Sequence, residues 1–189
     1  LSEDQGFRVE MESYPLLTSV GSVRPSSNFG RGENDNTPYG GYYTKEELKD
    51  IVKYCEERYI EVIPEFDFPG HTTAVISAYP ELCCTGEKIE LKTTAGVFKD
   101  ILCVGNPETL KLIYAVIDEF CEIFPSKYFH IGGDEAPKTR WLNCPKCKAK
   151  LEEEGLHTMD ELQGWLVNEV AAYLKKKGRK AICWNESLN

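Results

Sequence analysis

The chain has 189 residues, enough for one domain with a sizeable core or for part of a larger one. Hydrophobic residues at 41% and aromatics at 11% exclude a disordered chain, and no apolar run reaches the roughly 18 residues of a membrane helix. A formal charge of -9, from 22 basic and 31 acidic residues, argues against nucleic acid as a partner.

The opening "LSEDQG" reads as the tail of a strand, with Glu3 and Asp4 at its end and the start of an excised segment before it. Residues 19–41, rich in Gly, Ser, Asn and Pro, read as a long loop. Over 44–58, Thr44 and Glu47 stand at capping-box spacing, and Leu48, Ile51, Val52 and Cys55 recur every three or four residues, which predicts an amphipathic helix. "YIEVIPEFDFPGH" then predicts a short buried strand that ends near Asp67, with His71 just beyond in a Pro-Gly turn. Residues 81–100 form a second long loop.

Asn106 and Pro107 mark the start of a further helix, whose apolar stripe runs through Leu110, Ile113, Ile117 and Phe120 until Pro125 stops it. The strand "YFHIGGDE" follows and delivers Asp134 and Glu135. A second capping box, Thr158 and Glu161, opens a helix that Gly178 closes; Trp165 on its stripe is expected in the core. The cluster Lys175, Lys176 and Lys177 lies in its last turn, where cations offset the helix dipole. A third strand, "KAICWNES", again finishes in an acid, Glu186.

Strand, helix, strand, helix, strand implies right-handed crossover units and a parallel sheet. A doubly wound sheet collects ligands only at its switch point, whereas acids or His at four successive strand ends fit the rim of a (β/α)8 barrel. Since a complete TIM barrel takes roughly 250 residues, the expectation is an α/β fold present as a partial barrel, about strands 2–5. Residues 1–189 would then be part of a single catalytic domain, truncated at both ends.

Adjacent carboxyls such as Asp134 and Glu135 are awkward, because like charges repel and burial of either is costly. Neighbours in a strand face opposite sides, so both serve one pocket only where the pleat ends, and Gly132 and Gly133 allow that break. Two carboxyls at a pocket suggest glycoside hydrolysis, but side chains so close cannot flank a sugar as an ordinary nucleophile and acid pair does. An enzyme that takes its nucleophile from the substrate fits better.

"HIGGDEAP" at 130–137, "EFDFPGH" at 65–71, "SEDQGFR" at 2–8 and "CWNES" at 183–187 together resemble the family 20 glycoside hydrolases, the β-N-acetylhexosaminidases, in order and approximate spacing. The resemblance implies a retaining, substrate-assisted reaction through an oxazolinium ion on terminal β-linked GlcNAc or GalNAc. It makes Glu135 the general acid, Asp134 the partner of the 2-acetamido group, and His71 a relay to Glu135 backed by an acid of the "SED" segment. Either Glu3 or Asp4 completes that relay, and Asp67 braces it. Trp184 is implied as a wall of the acetamido pocket, against the alternative of a core tryptophan; His130 reads as structural. N-acetylhexosamine-containing glycans are the implied partners, with no cofactor, and a glycan substrate favours an extracytoplasmic location. The 189 residues alone are expected to have little or no activity.

"CPKC" at 144–147 has the spacing of half a zinc site, but no second CxxC or His pair lies near it in the chain, so no metal is assigned. Cys84 and Cys103 flank a long loop as a possible bridge. The remaining functional alternatives are a glycan-binding relative without turnover and a zinc-stabilised interaction module.

Overall fold

The computed structural model describes residues 2–30 and 32–188. The first residues form a tight antiparallel hairpin, β1 (Ser2–Glu3) with β2 (Gly6–Phe7), rather than the end of a parallel strand. After the helical turn α1 (Leu16–Ser19), a second antiparallel pair, β3 (Val23–Arg24) and β4 (Tyr39–Gly40), pinches the predicted loop 19–41 near its ends.

Helix α2 (Lys45–Glu56) begins with the predicted capping box: Thr44 accepts from the Glu47 N–H, and Glu47 accepts from the Thr44 N–H. Its buried face carries Leu48 and Val52. The strand predicted after it does not develop a ladder. Only Glu65 bridges, in parallel, to His130: the Phe66 N–H donates to His130 O and the His130 N–H to Pro64 O. Pro64 has no N–H to continue the pairing, and the partner chain bends at Gly132.

Helix α3 (Thr73–Ala78) carries no sequence signature because all six of its residues are buried, so no polar face alternates with an apolar one. Helix α4 (Pro107–Ile123) is capped by Asn106 with Pro107 in its first turn, as the sequence indicates. Strand β5 (Tyr128–His130) follows, then α5 (Pro145–Glu153), α6 (Met159–Lys176) and β6 (Lys180–Ile182). Thr158 and Glu161 cap α6 reciprocally, and at its other end Gly178 adopts φ +74° while the Arg179 N–H closes on Leu174 O.

Strands β5 and β6 pair in parallel with Phe129 opposite Ala181, the crossover unit that the alternation of elements predicts. Among the described residues the strands form three two-stranded sheets, so the fold is α/β with small sheets. Phe7, Phe66, Phe68, Phe120 and Phe129 are all essentially fully buried and connect through ring contacts into one core. Trp165 departs from expectation: it is half-buried, with the Lys150 ammonium 4.5 Å from its ring, and Trp141 occupies the core instead. No helix among the described residues is long and apolar enough to cross a membrane.

A buried ion pair ties α2 to α4. Lys45 Nζ lies 3.0 Å from Glu119 Oε2, both side chains being about nine-tenths buried, and Glu119 also accepts from the Glu12 and Ser13 N–H groups. Removal of one partner strands the other charge, so Lys45→Met is expected to lower the unfolding free energy by about 3 kcal/mol. Thr158→Ala removes only a cap and is expected to cost about 1 kcal/mol; urea unfolding of both variants checks the ranking.

Candidate active site

The strand ends converge on His71. Its Nδ1 lies 2.9 Å from Glu3 Oε1 and 3.4 Å from Asp4 Oδ2, and its Nε2 lies 3.4 Å from Glu135 Oε2. On the other side, potential ligand atoms of Asp67, His71 and Asp134 all lie within 4.8 Å of one another. Six of the residues selected from the sequence therefore meet around one imidazole: Glu3, Asp4, Asp67, Asp134 and Glu135 surround His71.

Both acids of the "SED" segment contact His71, and they differ in environment. Glu3 is closer but half-exposed, so water screens it. Asp4 is almost wholly buried; its Oδ1 accepts from the Thr73 N–H at 2.9 Å, while its Oδ2 makes no hydrogen bond and faces His71 at ion-pair distance. Burial opposes ionisation of Asp4, but His71 and Thr73 outweigh it and hold the carboxyl below its ordinary value. The β1–β2 hairpin sets this arrangement, since Asp4 lies in its two-residue turn.

His71 in turn is raised to about 11, through Asp4 first and Glu3 second, against the opposing effect of burial. It is an imidazolium at neutral pH. Asp67 moves the opposite way for an acid: burial and the neighbouring Asp134 charge push it up to about 8, although the Gly133 N–H donates to its Oδ1 at 2.9 Å. Asp67 thus keeps a proton at neutral pH beside Asp134.

Asp134 and Glu135 leave β5 through a turn that only glycines permit. Gly132 and Gly133 have φ +62° and +98°, and a Cβ would lie 1.7 Å from Asp67 Oδ1 at the first and 1.8 Å from Ser187 Oγ at the second. Glu135 and His71 themselves adopt positive φ, at 44° and 54°, a strained choice for residues with side chains and one found at functional sites. The Glu135 N–H donates to Glu186 Oε2 at 3.0 Å, and the Gln163 side chain donates to Gly133 O at 2.6 Å. Asp134 Oδ1 is buried without a hydrogen-bond partner among the described residues.

Trp184 is not a core residue: its side chain is half-exposed, and its ring packs edge-on to His130 with centroids 4.9 Å apart. Its backbone N–H donates to Gly132 O, which fixes it to the same turn. His130 lies 2.9 Å from Glu65. Sequence reading missed Glu186 as a brace of Glu135 and Gln163 as a brace of Gly133. Both had signals, an acid at a strand end and an amide on the buried face of a helix.

The glycosyl hydrolase family 20 catalytic-domain profile matches residues 1–189. The chain belongs to that family. A β-hexosaminidase of Porphyromonas gingivalis is 42% identical over 188 residues, covering 100% of this chain and 23% of the relative. A crystal structure of a β-N-acetylhexosaminidase superposes with a TM-score of 0.91 at 40% identity, over 97% of this chain and 38% of that one. The Vibrio harveyi family 20 exo-β-N-acetylglucosaminidase, solved in complex with N-acetylglucosamine, gives 0.84 at 32% identity, over 99% of this chain and 30% of that one. The chain thus spans between about a quarter and two fifths of the length of these relatives.

The raised His71 value has a definite sign in the stability. The folded state holds the proton more tightly than the unfolded chain, so the contribution is complete below about 6.5 and is lost as pH rises through about 11. An NMR titration is expected to find one imidazole still protonated well above the ordinary histidine range, and His71→Gln is expected to abolish that resonance. Titration of all three histidines near 6.5 would contradict the ion-pair geometry.

Proposed function

We propose that this chain carries the acid and acetamido-orienting residues of an exo-β-N-acetylhexosaminidase that acts by substrate-assisted retention. The observation that carries the reading is the half-buried Asp134 carboxyl, delivered by the double-glycine turn next to Glu135, whose carboxyl the His71 ring contacts. The N–H of a 2-acetamido group is a donor that such a carboxyl accepts from.

In this reading Asp134 accepts from the acetamido N–H and turns the carbonyl oxygen toward the anomeric carbon. That oxygen attacks C1 as the glycosidic C1–O bond breaks, and Glu135 passes its proton to the departing oxygen. Positive charge spreads over the resulting oxazolinium ring and is offset by Asp134. Glu135, now a carboxylate beside the His71 imidazolium, takes a proton from water as that water opens the ring at C1, which returns the original anomeric configuration. Asp67 and Glu186 position the pair, and the half-exposed Trp184 indole offers an apolar face to the acetamido methyl.

We further infer that residues 1–189 are part of a single (β/α)8 catalytic domain and supply about strands 2–5. Support comes from the parallel register of β5 with β6, the parallel bridge of Glu65 to His130, and the placement of Asp67, Asp134 and Glu135 just beyond those pairings. N-acetylhexosamine-containing glycans are the proposed partners.

Glu135→Gln is expected to reduce turnover of an aryl β-N-acetylglucosaminide by on the order of 10²- to 10⁴-fold, while a thiazoline mimic of the oxazolinium still binds. Asp134→Asn is expected to lower kcat more than it raises KM, because the contact strengthens as charge develops. Equal hydrolysis of the matching glucoside, which has no acetamido group, would overturn the mechanism.

A further inference from the structure

Four of the eight cysteines lie together, away from the carboxylate cluster and in three separate stretches of chain. Sγ of Cys103 is 3.6 Å from Cys147 and 3.7 Å from Cys144, and Sγ of Cys84 is 3.8 Å from Cys147. All four sulfurs fall within 4.8 Å of one another, and all four are free thiols, so the bridge between Cys84 and Cys103 considered from sequence is not formed.

Zinc bound by four thiolates at about 2.3 Å in a tetrahedron has sulfur–sulfur edges of roughly 3.8 Å. The three measured separations are close to that edge. A tetrathiolate set with no open position is the donor chemistry of a structural zinc centre, and soft sulfur disfavours magnesium or calcium. We propose that Cys84, Cys103, Cys144 and Cys147 bind one Zn²⁺ as a structural site. Its formation replaces up to four S–H protons, released to solvent, with four metal–sulfur bonds and needs no oxidant.

The surrounding backbone is built for this approach. The Cys83–Leu102 bridge and the Cys103 N–H to Leu82 O bond bring the first two stretches side by side. Gly105 lets the third come close, since a Cβ there would lie 2.2 Å from the Lys146 carbonyl and 2.4 Å from Cys147 N. Its N–H also points at the Cys147 sulfur, an outer-shell bond suited to a thiolate ligand. Cys144 and Cys147 sit at the start of α5, where the helix dipole favours negative sulfur. Lys99 and Arg140 line a surface cleft that reaches Cys84 and Cys144, which supplies both an entry path and countercharge.

The position gives the metal a structural task. The Leu102 N–H donates to Pro69 O, two residues before His71, and the Trp141 Nε1–H donates to Leu102 O on the segment that follows Glu135. A metal at the four sulfurs would staple together the loops that carry His71 and Glu135. The proposal does not depend on how those residues react.

The test is metal content by mass spectrometry of the protein purified without chelator and, in parallel, reconstituted with Zn²⁺. One zinc per chain is expected, with bound zinc lowered more than tenfold by Cys103→Ser or Cys147→Ser and unchanged by Cys55→Ser. If the serine variants do not fold, Co²⁺ substitution of the wild type decides: thiolate-to-cobalt charge transfer with tetrahedral ligand-field bands supports the site. Absence of stoichiometric zinc after reconstitution, a disulfide among the four cysteines, or stoichiometric iron in place of zinc would overturn it.

Discussion

The site depends on one steric constraint, the double-glycine turn at the end of β5. Gly132 passes so close to Asp67, and Gly133 so close to Ser187, that neither position tolerates even a methyl group. This close packing lets consecutive side chains, which would diverge along a pleated strand, emerge into one polar cluster. The same turn aligns its own braces: the Gly133 N–H fixes Asp67, the Gly133 carbonyl takes the Gln163 amide, and the Gly132 carbonyl holds the Trp184 N–H. Local backbone geometry, rather than any single ion pair, determines which groups meet.

Electrostatics then assigns states to the groups. Five carboxyl groups around one ring could not all ionise in so small a volume without compensation. The structure resolves the conflict in two ways. His71 takes up a positive charge because Asp4 and Glu3 face its ring, and Asp67 retains a proton because its burial and Asp134 disfavour a second negative charge. The outcome is a cation behind Glu135 and a neutral acid behind Asp134, two different surroundings for adjacent carboxyls.

Much of this was legible in the sequence wherever the signal was local. The capping boxes at Thr44 and Thr158, the Asn106–Pro107 start and the Gly178 stop each depend on residues within one helical turn, and all four occur as read. Asp67, Asp134, Glu135 and Glu186 were found because each follows a strand-like segment. What escaped depends on neighbours distant in the chain. Helix α3 is buried all round and so has no periodicity; the strand before Asp67 fails at Pro64, whose effect matters only once its partner is known. The sulfur cluster draws on residues 84, 103, 144 and 147, which no spacing rule connects. Trp165 is only half-buried, against expectation, because a stripe position does not reveal how fully its neighbours cover it.

The claim that Asp134 is an acceptor set aside for the sugar's amide is tested most directly by a crystal structure of the protein with N-acetylglucosamine. The account predicts the acetamido N–H within about 3 Å of an Asp134 carboxyl oxygen, with the Glu135 carboxyl on the side of the anomeric oxygen. A sugar bound with its acetamido group turned away from Asp134 would contradict it.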